Sequence, residues 1–225
     1  MKNRREKFFF QNIHNNTKRN YLKRMTNNKI KNSLIAKKYD KFYWDGKRDY
    51  GYGGYKYIDG YWTSFAKKLI KNYKLNNRSK VIDLGCGKGF LLYELKKILP
   101  GLEVVGIDIS NYAIKNSPKS LRKNLINKKI ESDFVKKLRY KKFDLTISMG
   151  CLHNLKIFNL KKAIKNINSI SKNSYVLVES FKNQKELFNL QCWALTCEAF
   201  FSKIEWIYLF NLFGYKGDYE FIYFK

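Results

Sequence analysis

The chain has 225 residues, 44% of them hydrophobic, enough to bury one full-sized core with an extension, and it carries 46 Lys and Arg against 18 Asp and Glu for a formal charge of +28. So basic a chain attracts phosphate-rich partners, although only twelve of the cations fall in residues 1–38, against Glu6, and the others are spread along the sequence. No apolar run reaches the roughly eighteen residues of a membrane span, Phe8-Phe9-Phe10 is too short for a signal-peptide core, and Cys86, Cys151, Cys192 and Cys197 lack the paired spacing of a zinc site, which points to free thiols in the cytoplasm and to no metal.

Residues 1–38 are rich in Asn, Lys and Arg, and their apolar positions keep no sustained period, which predicts a flexible or loosely helical extension. Residues 39–64 alternate aromatics with glycines, including Trp44, Tyr52, Tyr55 and Tyr57, as expected of an anchored loop forming a lid or cap. The domain proper, 65–225, opens with Phe65, Leu69, Ile70 and Tyr73 at helical spacing, followed by a short strand at Val81–Leu84. A helix face at Leu91, Leu92, Leu95, Ile98 and Leu99 stops at Pro100-Gly101, and a second strand runs from Leu102 to Ile107, ending at Asp108. A helix over 111–123, a weaker strand near 125–130, a strand at 143–148, a helix over 157–170 and a strand at 175–178 continue the alternation. That alternation predicts an α/β fold, a mostly parallel sheet with helices on both faces. Residues 181–201 interrupt it, and the tail offers a helix at 205–212, a turn at Gly214–Asp218 and a strand at 219–224, expected as an antiparallel edge.

The stretch Asp83-Leu84-Gly85-Cys86-Gly87-Lys88-Gly89-Phe90 sits where a strand passes into a helix, so bare backbone and unpaired N–H groups face a ligand. A dinucleotide loop requires glycine where Phe90 stands, and a Walker loop requires Ser or Thr after Lys88, where Gly89 stands. Asp83, just before the glycines, favours a cationic ligand over a pyrophosphate.

These residues resemble the first motif of class I S-adenosylmethionine-dependent methyltransferases, and Val105-Gly106-Ile107-Asp108-Ile109-Ser110 resembles their second. Glu131-Ser132-Asp133-Phe134 is placed like their adenine-contacting segment, and Phe143 to Leu155 looks like their fourth motif; the likeness covers roughly 65–225. It implies a Rossmann-like, seven-stranded, mostly parallel sheet with an antiparallel C-terminal edge. It also implies S-adenosyl-L-methionine as cofactor, held by Asp83, Gly85, Gly87, Asp108 (through the ribose), Ile109, Asp133, Met149 and Tyr55. Asp108 also reads as a helix cap and Asp133 as a turn residue.

His153, past the fourth strand, reads either as a catalytic base for an attacking hydroxyl or amine or as a packed residue. The Asn/Asp-Pro-Pro-Tyr/Phe signature of many amino-nitrogen methyltransferases is absent after that strand, where Ser148-Met149-Gly150-Cys151 stands, and no Pro-Cys supports covalent attack on a base. The expectation is methyl transfer to an O or N nucleophile of a small molecule, such as a sugar or metabolite precursor. RNA methylation and a non-catalytic RNA-binding module are the alternatives that the charge keeps open.

Overall fold

Period-two alternation along the strands decides how the sheet is covered. Ile82, Leu84, Val105, Ile107, Val176 and Val178 face one layer, whereas Val81, Val104, Leu145, Ile147, Tyr175 and Leu177 face the other. In the computed structural model, which describes residues 5–11, 14, 17–53, 55–140 and 142–225, these residues form a single sheet. Its strands are β1 (Lys80–Leu84), β2 (Glu103–Asp108), β3 (Leu125–Asn127), β4 (Leu145–Met149), β5 (Ser174–Glu179) and β6 (Asp218–Ile222). They lie in the order β3-β2-β1-β4-β5-β6, and every neighbouring pair is parallel.

Before the sheet come α1 (Tyr21–Thr26), α2 (Lys29–Ala36), α3 (Lys41–Asp45) and α4 (Thr63–Tyr73); α5 (Phe90–Ile98), α6 (Asn111–Lys115), α7 (Ile157–Ile170), α8 (Gln184–Trp193) and α9 (Lys203–Leu212) follow within it. Helices α4 and α5 bury Phe65, Leu69, Leu92 and Leu95 on one face; α7 and α9 bury Leu160, Ile164, Ile167, Trp206 and Phe210 on the other. Helix α9 starts at a reciprocal cap between Ser202 and Glu205. Helix α6 ends at Lys115, short of the expected 123, because Pro118 disfavours helical geometry at Ser117 just ahead of it.

The sheet differs from the expectation at its C-terminal side. Among the described residues it has six strands rather than seven, and β6 is parallel to β5 rather than antiparallel. The turn at Gly214 links a helix to a strand as expected, but α8 and α9 carry the chain back across the sheet, so β6 enters it in the same direction as β5. The outer edge of β6 is matched by the N-terminal segment, where Lys7 N donates to the Tyr219 carbonyl and Tyr219 N to that of Arg5. The buried Glu220 carboxylate accepts the N–H groups of Phe9, Phe10 and Gln11.

Residues 1–38, expected as a flexible or loosely helical extension, include the short helices α1 and α2. Residues 1–4, 12, 13, 15 and 16 lie outside the described ones, but the rest is seated on the domain by specific bonds. Buried Arg24 donates to the carbonyls of Trp193, Arg48 and Gly51, and Tyr21 packs edge-on against Trp193. Side-chain-to-backbone bonds of this kind order a segment without a hydrophobic period. Among the described residues no helix is long and apolar enough to cross a membrane, and no three metal-ligating side chains cluster.

Candidate active site

Strand order reverses at β1, which lies between β2 and β4, so a crevice opens beyond the carboxyl ends of β1 and β4. The glycine turn after β1 lines it. Gly85 has φ +86°, and a Cβ there would come within 2.6 Å of the Cys151 side chain. Gly87 has φ +55°, and a Cβ there would strike the Trp44 ring at 2.5 Å. Both positions need glycine for conformation and for space.

Asp83 is the last but one residue of β1, and its Oδ1 is buried with no hydrogen-bond partner. Burial, helped by the nearby Asp108 charge, pushes its carboxyl up to about 8. An orphaned acid of this kind fits a cationic group that would draw it back to the ionised state. Asp108 ends β2, and its oxygens accept Gly87 N and Ser110 N, each at 2.7 Å. Burial raises its pKa, and those two N–H bonds pull it back. Its carboxylate ties the glycine turn to the next loop, and the remaining lone pairs are those a ribose hydroxyl would use.

The aromatic segment closes over this floor. Lys88 Nζ, in the glycine turn, pairs with Asp45 at 2.6 Å and donates to the Tyr55 carbonyl at 3.1 Å; Tyr112 Oη holds the other Asp45 oxygen at 2.9 Å. Trp44 Nε1 donates to Ser110 Oγ at 2.8 Å. Tyr39, with φ +49°, is a non-glycine residue held in left-handed backbone beside them. The cavity is about 620 Å³, within the range of small-molecule sites.

Asp83, Gly85, Gly87, Asp108, Ile109, Met149, Tyr55 and His153 all line this cavity. Asp133 does not: its side chain is 69% exposed and pairs with Lys136, while Glu131, two residues earlier, lines the wall. Tyr57 also turns away, donating to Glu94 on α5. His153 is buried. Its Nδ1 accepts the Glu179 N–H at 3.1 Å, so its proton sits on Nε2, 3.4 Å from Glu179 Oε2, and burial drives its pKa down to about 3.

Sequence reasoning passed over Glu179 and Arg19, which line the same cavity, as do Tyr39 and Trp44 of the expected lid segment. Glu179 had a visible signal, an acid closing the apolar strand Tyr175-Val176-Leu177-Val178 as Asp108 closes its own. Burial pushes its carboxyl up to about 8 against the opposing pull of Arg19 and Lys29.

A parallel α/β sheet with a glycine turn at its switch point, flanked by carboxylates toward the strand ends at Asp83 and Asp108, defines the class I methyltransferase architecture. Residues 75–214 match the methyltransferase domain family, and the chain belongs to it. The cofactor of this family is S-adenosylmethionine, and the orphaned Asp83 Oδ1 suits its ammonium end. Ribosomal RNA small subunit methyltransferase C of Buchnera aphidicola subsp. Acyrthosiphon pisum (strain APS) is 36% identical over 104 residues, covering 46% of this chain and 30% of that protein. The protein of the same name from Haemophilus influenzae (strain PittEE) is 34% identical over 77 residues, 34% of this chain and 23% of that protein. The chain thus spans less than a third of the length of these curated relatives. In fold it is similar to a SAM dependent methyltransferase from Archaeoglobus fulgidus, with TM-score 0.52, 21% identity and 66% of each chain covered. It is also similar to geranyl diphosphate C-methyltransferase from Streptomyces coelicolor A3(2), with TM-score 0.51, 10% identity, 65% of this chain and 58% of that one.

Proposed function

We propose that this chain catalyses methyl transfer from S-adenosylmethionine to a nitrogen or oxygen nucleophile of a small molecule, with residues 65–225 as the catalytic domain and 39–64 as its lid. The observation that carries the reading is a cavity of about 620 Å³ at the carboxyl ends of the strands, the size of a small-molecule site. Beyond Asp83 it continues past Met149 and Cys151 to Glu179, and Tyr43, Trp44 and Tyr55 of the lid wall it together with Arg19 and Trp193. A space bounded from several sides favours a compact acceptor over a polymer.

The cofactor, when bound, supplies an electrophilic methyl carbon on a sulfonium that leaves as a neutral thioether. Asp83 holds the ammonium end by a charge-assisted bond. Asp108, fixed by Gly87 N and Ser110 N, presents its free lone pairs to the ribose. Ile109 and Met149 offer apolar contact to the adenine, and Tyr55 closes the lid side. With no acid needed for the leaving group, the chain contributes mainly proximity, orientation and exclusion of water. The free thiols suit a cytoplasmic site of action.

RNA methylation is the second reading, favoured by the charge of +28 and by the names of the partial relatives. Labelled S-adenosylmethionine incubated with fractionated lysate separates the two. Label in the small-molecule fraction supports the proposal. Label only in RNA, with RNA affinity falling steeply as salt rises, overturns it.

A further inference from the structure

A helix on the surface of a water-soluble domain buries its apolar stripe and shows its polar face. Helices α1 and α2 do the reverse. Their polar side chains face the domain: buried Arg24 donates to the carbonyls of Trp193, Arg48 and Gly51, Lys29 Nζ to those of Gln191 and Cys192, and Ser33 Oγ to that of Leu195. Their apolar side chains face outward: Leu22 is 63% exposed, Met25 40%, Ile30 80% and Leu34 64%. Met25, Ile30 and Leu34 line one open depression of about 640 Å³, so the two helices present a continuous face, and it shares no lining residue with the cavity of the active site. Hydrogen bonds already hold α1 and α2 to the domain, and an exposed apolar cluster with a polar rim marks an interaction site.

Charge identifies what covers this face. Lys23, Lys31 and Lys38 are exposed beside the four apolar side chains, and no Asp or Glu occurs in the sequence between Glu6 and Asp40. Lys37, next to them, is already paired with Glu198. We propose that α1 and α2 form a docking face for an anionic bilayer surface. Leu22, Met25, Ile30 and Leu34 enter the boundary between headgroups and acyl chains, and Lys23, Lys31 and Lys38 meet lipid phosphates. Apolar side chains interleaved with lysines are the composition of helices that lie in a membrane interface.

Other occupants fit less well. RNA meets the lysines but leaves the four apolar side chains in water. A second copy of the chain brings the same lysines to a twofold interface, where like charges repel. A folded protein partner calls for directional hydrogen bonds as well as area, and these helices have turned their polar groups to other uses: besides Arg24, Lys29 and Ser33, Asn32 donates to the Asn27 carbonyl and Thr26 Oγ1 to that of Leu22. Mobile headgroups pair with lysines without fixed geometry. Lys38 is followed directly by Tyr39, which lines the cavity, so docking brings the start of the lid to the bilayer surface. Helix α9 supplies the contrast: it exposes Ile204 and Leu212 to a similar degree, but its one lysine, Lys203, is paired with Glu6.

The test is sedimentation of the full chain with vesicles of phosphatidylcholine alone or with about one-third phosphatidylglycerol, at about 0.15 M salt. The wild-type chain sediments with the mixed vesicles and stays in solution with phosphatidylcholine alone. A charge of +28 draws any part of the chain toward an anionic surface, so the deciding comparison keeps the charge fixed. Ile30→Ser with Leu34→Ser weakens binding by about tenfold or more, whereas Ile204→Ser with Leu212→Ser on α9 changes it by less than about twofold. Lys31→Gln and Lys38→Gln each weaken it by about fivefold. The substituted side chains are exposed, so the variants melt with the wild type; should Ile30→Ser with Leu34→Ser melt lower, Leu22→Ser with Met25→Ser carries the same comparison. No sedimentation of the wild type with the mixed vesicles, unchanged binding by the α1 and α2 variants, or an equal loss from the α9 variant overturns the proposal. A wild-type dimer in solution that Ile30→Ser with Leu34→Ser dissociates overturns it too, and assigns the face to a second copy.

Discussion

Replacing Asp83 by Asn moves stability and ligand affinity in opposite directions. In the folded chain burial raises the Asp83 carboxyl from 3.8 to about 8, so at pH 7 it stays protonated where the unfolded chain ionises it. At about 1.4 kcal/mol per pKa unit, the ligand-free fold forgoes on the order of 4 kcal/mol at that pH. Asparagine has nearly the same shape and no charge to lose, but it buries an amide whose hydrogens also need partners, at a cost of about 1–3 kcal/mol. The net gain is about 2 kcal/mol, or roughly 4–8 °C in the melting temperature of a domain this size. The ammonium of the cofactor, by contrast, loses a charge-assisted bond of about 1.5–3 kcal/mol, so S-adenosylhomocysteine binds roughly 10- to 150-fold more weakly. Scanning fluorimetry with and without the ligand reads both effects. A variant that melts lower than wild type on its own, yet keeps the full ligand-induced shift, refutes the reasoning.

Other perturbations follow from the same geometry. Asp108→Asn keeps at most one of the two backbone N–H bonds, so it lowers both stability and cofactor affinity, each by about 1–3 kcal/mol in calorimetry. Asp45→Ala strands the buried Lys88 ammonium and frees the lid; limited proteolysis then cuts within residues 39–64 faster than in wild type, and added S-adenosylhomocysteine restores part of the protection. Gly85→Ala places a Cβ against Cys151 at a φ of +86° and costs more than about 2 kcal/mol by urea unfolding. The raised carboxyls of Asp83 and Glu179 bind protons more tightly folded than unfolded, whereas His153 and His14, lowered to about 3 and about 4 by burial, oppose that effect below about pH 6.5; ligand-free stability in urea unfolding therefore falls between about pH 6.5 and 8 and levels off above it.

The cofactor half of the site was legible because its chemistry is local. Asp83 and Asp108 stand toward the carboxyl ends of apolar strands, and three glycines follow the first, so a short window holds both the carboxylate and the turn it serves. Glu179 closes its strand as Asp108 does, but no glycine turn follows, and its importance emerges only when His153 and Arg19 arrive from distant segments. The lid shows as an aromatic cluster, yet which rings face inward depends on Lys88 gripping Asp45 and Tyr55; hence Tyr55 lines the cavity and Tyr57 does not. The N-terminal segment carries no period because polar bonds hold it: Glu220 accepts its backbone N–H groups at Phe9, Phe10 and Gln11, and its own Arg24 side chain donates to the carbonyls of Trp193, Arg48 and Gly51. The direction of β6 was misjudged for a related reason: the helix, turn and strand of the tail were legible, but only the return of α8 and α9 across the sheet sets the direction in which β6 enters it.

The most direct measurement is the affinity of S-adenosylhomocysteine for the wild-type chain from pH 6 to pH 8. A buried acid that must ionise to meet the ligand's ammonium makes binding tighten with pH, by up to about tenfold per unit below 8, with proton release detectable in buffers of different ionisation enthalpy. Binding that is absent at millimolar ligand, or that is flat across this range, contradicts the account of Asp83 as the cofactor's counter-charge.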